Sequence, residues 1–200
     1  MSDGGAARLV DQDVVAFDRR SFRDALSAFP TGVAVATTKT TDGDLIGVTV
    51  NSFGSVSLDP PLVSFGLARR AFSLKAFAEA DVFAVSVLAF DQGAVSNRFA
   101  VSAGEKWGGT AYTFAGNGCP IISGALASFE CISHARFDGG DHVIFVGRVI
   151  RFERLATGEP LVFNRGSYRT LAPNAECPDY SAGGGKVLPP LNGFDPWTSG

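Results

Sequence analysis

Apolar positions along this chain fall mostly into short strand-like runs separated by turn residues, with only brief stretches at helical spacing. Phe22, Leu26 and Phe29 recur at helical intervals, which predicts an amphipathic helix over residues 18–29 that Pro30 closes. Strands are predicted over 33–38 and 46–56, joined by the turn-rich Thr41-Asp42-Gly43-Asp44. Residues 62–67 read as a buried strand, 73–79 as a helix, and 83–88, FAVSVL, as a strand of β-branched and aromatic character. A further helix is predicted over 91–99. Two long apolar runs, 127–137 and 142–152, flank Asp138-Gly139-Gly140-Asp141 and predict a hairpin. With Gly139-Gly140 as the loop, Asp138 pairs with Asp141 and Phe137 with His142. Strands outnumber helices and do not alternate regularly with them, so the pattern predicts a mainly β, antiparallel barrel with short helices, not a doubly wound sheet.

One run departs from ordinary strand composition. In residues 46–65, IGVTVNSFGSVSLDPPLVSF, the short polar residues Thr49, Asn51, Ser52, Ser55 and Ser57 stand where bulky apolar side chains are usual. They offer donors and acceptors on a rigid backbone, suited to a flat ligand with polar edges. Pro60 and Pro61 then punctuate the sheet ahead of LVSFGLA, because neither has an N–H to give to a ladder.

Composition narrows the function. Two hundred residues with 46% hydrophobic content bury one sizeable core, which predicts a single domain over 18–172, a flexible N-terminal segment over 1–17 and a Gly/Pro-rich tail over 173–200. A net charge of −3 without a basic run predicts no nucleic-acid or anionic-membrane partner. No signal peptide or spanning run is read in the chain, and Cys119, Cys131 and Cys177 are odd in number and far apart. Both features point to a reducing, cytoplasmic setting.

Several chemistries lack their required spacing. Gly116-Asn117-Gly118 fails the dinucleotide fingerprint at its third glycine, and Gly183-Gly184-Gly185-Lys186 is followed by Val187 where a phosphate loop needs Ser or Thr. The two histidines, His134 and His142, and the scattered cysteines give no zinc spacing, so no metal is expected. No G-x-S-x-G elbow occurs.

The ordered series FPTGVAVATT, GVTVNSFGSVSLDPPL, ARRAFSLKAF, FAVSVL, SNRFA, GGDHVIFVGRV and FNRGSY resembles the short-chain flavin reductases, the NAD(P)H:flavin oxidoreductase components of two-component monooxygenases. The resemblance runs roughly from residue 22 to 171. It implies a flavin-binding split barrel of Greek-key, antiparallel type, FMN or FAD as flavin, NADH or NADPH as hydride donor, a homodimer, and a partner monooxygenase reached by diffusible reduced flavin. Hydride transfer between two cofactors needs stacking and distance rather than an acid or base.

Carried onto this sequence, the resemblance assigns the flavin ring and ribityl chain to Ile46, Gly47, Val48, Thr49, Val50, Asn51 and Ser52, with Ser55 nearby. The flavin phosphate falls to the segment 66–73, with Gly66, Leu67, Ala68, Arg69 and Ser73 named in it and Arg70 or Lys75 as further charge, Ser73 lying near a helix N-terminus. Arg98 and Phe99 add a phosphate contact and an adenine-facing surface if the flavin is FAD. On the nicotinamide side stand His142, which positions NAD(P)H, and Arg165 and Tyr168. Arg69 and Arg70 read equally as phosphate ligands or solvated loop charge, Arg98 equally as a helix C-terminal cap, and Trp107 equally as a lid or a hydrophobic anchor. His134 reads as buried and structural, and Cys131 as core packing. Gly54 stands where relatives often carry a larger residue, and the tail after Ala172 has no counterpart. Two other readings stand beside the reductase: a flavin-retaining oxidoreductase of the same fold, and a non-catalytic flavin carrier.

Overall fold

A computed structural model describes residues 17–102 and 104–171. The tail from 173, Cys177, the glycine run at 183–185 and all but the last residue of the N-terminal segment lie outside the described residues. The first element, α1 (Arg19–Leu26), starts where Asp18 accepts the Ser21 N–H at 2.8 Å. β1 (Thr31–Gly32), β2 (Ala34–Lys39) and β3 (Leu45–Val50) follow. The predicted strand 46–56 is in fact two: the chain leaves β3 at Asn51, turns through Phe53 and re-enters as β4 (Gly54–Leu58). Period-two composition cannot mark that break, because small polar residues continue across it.

β5 (Pro61–Ala68), α2 (Leu74–Glu79) and β6 (Val82–Val87) match the predicted elements closely. The next helix is displaced by one turn of 3₁₀ geometry at Phe90–Gln92, after which α3 (Gly93–Ala100) is α-helical. β7 (Tyr112–Phe114) and β8 (Pro120–Ile122) form a small separate ribbon. The hairpin β9 (Ala127–Gly139) and β10 (His142–Arg154) is the longest feature, and β11 (Val162–Asn164) with β12 (Ser167–Arg169) joins β1 in a three-stranded sheet.

The hairpin register differs from the expected one. His142 pairs with Gly139 and Val143 with Asp138, so the loop is Gly140-Asp141. Gly140 has φ +74° and Asp141 does not share a positive φ, the pattern of a tight turn with glycine at its first central position. Asp138 accepts the Gly140 N–H at 2.8 Å, and Arg69 donates from Nε to the Gly140 carbonyl at 2.8 Å. The contact from Arg69, just beyond β5, and the Asp138 cap select the register, which local sequence leaves open between two glycines.

Seven antiparallel strands form the main sheet in the order β3-β2-β6-β9-β10-β5-β4. Because β3 runs directly into β4 through residues 51–53, the two outer strands are joined and the sheet curls into the expected split barrel. Phe65 stands at the centre of its core, its ring centroid 5.6, 5.2 and 5.4 Å from those of Phe77, Phe83 and Phe145. Gly147 lets this packing close: a Cβ there would fall inside the contact radius of Phe83 Cζ and 2.9 Å from Cys131 Cβ. Val33, Val35, Leu88, Phe99, Ile122 and Leu161 build a second core under α3. His134, expected to be buried, is exposed with Ile132 and Arg136 on the solvent side of β9. No helix among the described residues is long and apolar enough to cross a membrane.

Candidate functional site

Barrel closure makes a cleft of about 260 Å³. The end of β3 supplies Val48, Thr49 and Val50, and the chain then contributes Asn51 and Ser52 as it turns away. The end of β5 supplies Gly66, Leu67 and Ala68, and His142 arrives because β10 pairs it with Ala68. Nine sequence-predicted residues from three separate segments thus meet. Val50 and Leu67 turn their side chains into the barrel core, so their backbones face the cleft. Asn51 is exposed, and among the described residues its amide forms no hydrogen bond, which leaves it for a ligand. A volume below the ~300–1,000 Å³ of an enclosing pocket suits one ring system with the rest of its molecule outside.

The cleft is held by bonds that use some of its polar groups. Ser52 Oγ accepts the Gly66 N–H at 2.9 Å, and Thr49 Oγ1 donates to the Ser96 carbonyl at 2.7 Å, so Thr49 fastens β3 to α3. His142 Nδ1 lies 2.6 Å from Asp141 Oδ1 at the rim. That hydrogen bond, followed by the histidine's charge, holds the Asp141 carboxyl below its ordinary pKa. With Nδ1 engaged by Asp141, Nε2 forms no hydrogen bond among the described residues.

Other predicted residues lie elsewhere. Ile46 and Lys75 line a different groove of about 560 Å³, and the Lys75 ammonium lies 3.9 Å from Glu79. Gly47 is buried against Phe99 and Trp107, and Ser55 is exposed on β4. Arg69 is tied to Asp138 at 2.6 Å as well as to Gly140, so its guanidinium serves the hairpin. Ser73 is buried at the start of α2 without a side-chain bond to the helix. Arg98 donates to the Gly108 carbonyl at 2.9 Å and Thr110 Oγ1 at 2.8 Å, stapling the loop before β7. Phe99 is fully buried in the second core and presents no surface to an adenine. Trp107 is an anchor, its Nε1 donating to the Leu45 carbonyl at 2.8 Å and its ring 5.0 Å from that of Phe99.

Arg165 and Tyr168 also stand apart from the cleft. Arg165, at φ 48°, forms the β11–β12 turn with Gly166. Tyr168 packs against Gly93, its hydroxyl 2.8 Å from Ser96 Oγ and donating to Asn97 Oδ1 at 2.9 Å. Ser96 therefore joins Tyr168 to Thr49 across α3. Ala71, inside the segment 66–73 that the sequence gives to the flavin phosphate, lines the cleft, whereas sequence reasoning missed Lys106, whose ammonium donates to the Gly47 carbonyl at 3.1 Å behind β3. Burial lowers the Lys106 pKa. No periodic signal marks it. Burial pushes the Cys119 thiol up to about 11 and Cys131 to about 12, which fits the reading of Cys131 as core packing. Among the described residues no cluster of potential ligands for a metal ion occurs.

Residues 26–172 match the family described as flavin reductase like domain. The chain is 47% identical over 149 residues to the FMN reductase (NADH) SmoA of Agrobacterium fabrum, covering 74% of this chain and 84% of that one. It is 37% identical over 163 residues to the flavin-dependent monooxygenase reductase subunit HsaB of Rhodococcus jostii, with 82% and 83% covered. The share of a similar protein's own length that the chain spans includes values of 49% and 97%. Its fold superposes with a TM-score of 0.75 on the NADH:FAD oxidoreductase SgcE6 of Streptomyces globisporus, solved in complex with NAD and FAD fragments, at 37% identity over 80% of this chain and 96% of that one.

Proposed function

The chain belongs to the flavin reductase like domain family, and from that membership we propose that it uses NADH or NADPH to reduce FMN or FAD and releases the reduced flavin to a separate monooxygenase. The observation that carries this reading is the convergence of Val48 to Ser52, Gly66 to Ala68 and His142 on one small cleft. The flavin supplies the electron-accepting ring and the nicotinamide the hydride, delivered from C4 to flavin N5.

The protein's own part is placement. Asn51 and the backbone of β3 and β5 meet the polar edge of the ring, while Ser52 keeps the two cleft walls at fixed separation. His142, oriented by Asp141, offers Nε2 to the nicotinamide carboxamide and so orders the donor at the open side. No side chain there is needed as acid or base. A cleft that grips only part of the flavin supports release after reduction. The similarity to a monooxygenase reductase subunit supports the partner. α1 buries none of its residues and leaves Phe22 and Leu26 about half exposed, which supports a homodimer that covers its apolar side.

The test is anaerobic oxidation of NADH and of NADPH with added FMN or FAD, followed by rapid filtration. Turnover with most reduced flavin in the filtrate is the expected result. Reduced flavin retained by the protein supports a flavin-retaining oxidoreductase instead, and bound flavin without turnover a carrier.

A further inference from the structure

At the end of the β9–β10 hairpin away from the cleft lies a separate cavity of about 340 Å³, between the hairpin and the β7–β8 ribbon. Arg151, on its wall, follows His142 by nine residues along β10, which sets the two sites roughly 30 Å apart. Ser128 and Glu130 are two apart on β9 and so share the strand face that lines the cavity. The hairpin register sets Arg151 opposite Glu130 and Glu153 opposite Ser128. Glu130 is only 8% exposed and Ser128 5%. Glu130 Oε2 accepts the Asn117 N–H at 3.1 Å, whereas Oε1 forms no hydrogen bond among the described residues. Arg151 Nε stands 3.6 Å from that oxygen, too far for one, and the Arg151 guanidinium donates to Glu153 instead. The Ser128 hydroxyl also has no partner among the described residues. A carboxylate oxygen and a hydroxyl buried together beside open space are costly unless something in that space bonds to them.

Charge and lining decide what fits. Two carboxylates share the cavity with one guanidinium, which Glu153 already holds, so the unmet need is for a positively charged donor. Gly116 lets the ribbon lie close over the carboxylate, since a Cβ there would fall 3.1 Å from Glu130 Oε2. Phe114 and Leu155, both exposed, and Ile121 give apolar surface beside the charge. The volume lies at the lower end of the ~300–1,000 Å³ of small-molecule pockets. We propose that this cavity binds a small organic monocation, an amine with an apolar body. Its ammonium donates to Glu130 Oε1 and Ser128 Oγ, and its body lies against Phe114, Ile121 and Leu155. The site is separate from the candidate flavin cleft and does not depend on the reductase reading.

The experiment is calorimetric titration of phenethylamine into the full chain at neutral pH, with 2-phenylethanol as the neutral analogue and phenylacetate as the anion. The amine is expected to bind at least about tenfold more tightly than the alcohol, the worth of a charge-assisted bond to a carboxylate. Glu130→Gln keeps an acceptor for Asn117 and removes the charge, and is expected to erase that preference. Ser128→Ala is expected to weaken the amine about three- to tenfold, and Glu79→Gln, on a different groove, to leave it unchanged. Saturating FMN is expected to leave amine binding unchanged as well. An amine that binds no more tightly than the alcohol overturns the proposal and leaves the cavity to water. Tighter binding of phenylacetate also overturns it and assigns the cavity to an anion on Arg151. Amine binding that persists in Glu130→Gln and Ser128→Ala, or that FMN displaces, places the amine elsewhere and rejects this cavity. Should Glu130→Gln fail to fold, Ser128→Ala and the charge series carry the same decision.

Discussion

Ser52 Oγ accepts the Gly66 backbone N–H at 2.9 Å, joining the point where the chain leaves β3 to the end of β5. The bond spans fourteen residues of sequence and sets the width of the candidate flavin cleft. Ser52→Ala is expected to lower stability by about 1 kcal/mol, the net worth of one such bond, and to raise the KM for flavin more than that for NADH. Urea unfolding and steady-state kinetics check the two parts. An unchanged flavin KM would detach the bond from the cleft.

Arg98 separates a structural from a ligand role. Its two bonds to Gly108 and Thr110 staple the loop before β7, so Arg98→Ala is expected to cost ~1.5–3 kcal/mol in unfolding free energy. The KM for FMN and FAD is expected to stay within about twofold of wild type. A large rise for FAD alone would restore Arg98 as a phosphate ligand.

Gly147 sits against Phe83 and Cys131 in the barrel core, where an added methyl has no room. Gly147→Ala is expected to destabilise by ~1–3 kcal/mol through overpacking. Gly54→Ala, with nothing within 4 Å of its would-be Cβ, is the matched control and is expected to change little. Comparing the two midpoints in denaturant at equal slope reads the difference.

The Asp141 carboxyl is held below the usual aspartate range chiefly by the hydrogen bond from His142. A depressed folded-state pKa means that this group favours the fold above its unfolded pKa, and that the contribution fades as pH falls through the lower folded value. His142→Ala is expected to move the Asp141 pKa up toward 3.8, visible by carbon-detected NMR titration of the carboxyl. A value that stays put in the variant would assign the shift to Arg19 instead.

The elements of the fold were legible in the sequence because they follow local rules: apolar and β-branched runs bounded by turn residues for β2, β5, β6, β9 and β10, helical spacing and Pro30 for α1, and paired glycines for the long hairpin. The unusual row of small polar residues after Ile46 was legible for the same reason, and three of its five members, Thr49, Asn51 and Ser52, line the cleft while Ser55 and Ser57 do not. What tertiary structure alone decided was the fate of each polar group. Thr49 is taken by Ser96 and Arg69 by Asp138, partners 47 and 69 residues away, and Phe99 is sealed beneath Gly47. The same long-range contacts chose Gly140-Asp141 over Gly139-Gly140 as the turn, and the hairpin pairing brought Arg151 beside Glu130. A side chain's hydrogen-bonding capacity is written in its residue type, but whether it remains for a ligand depends on which distant groups folding places within three ångströms of it.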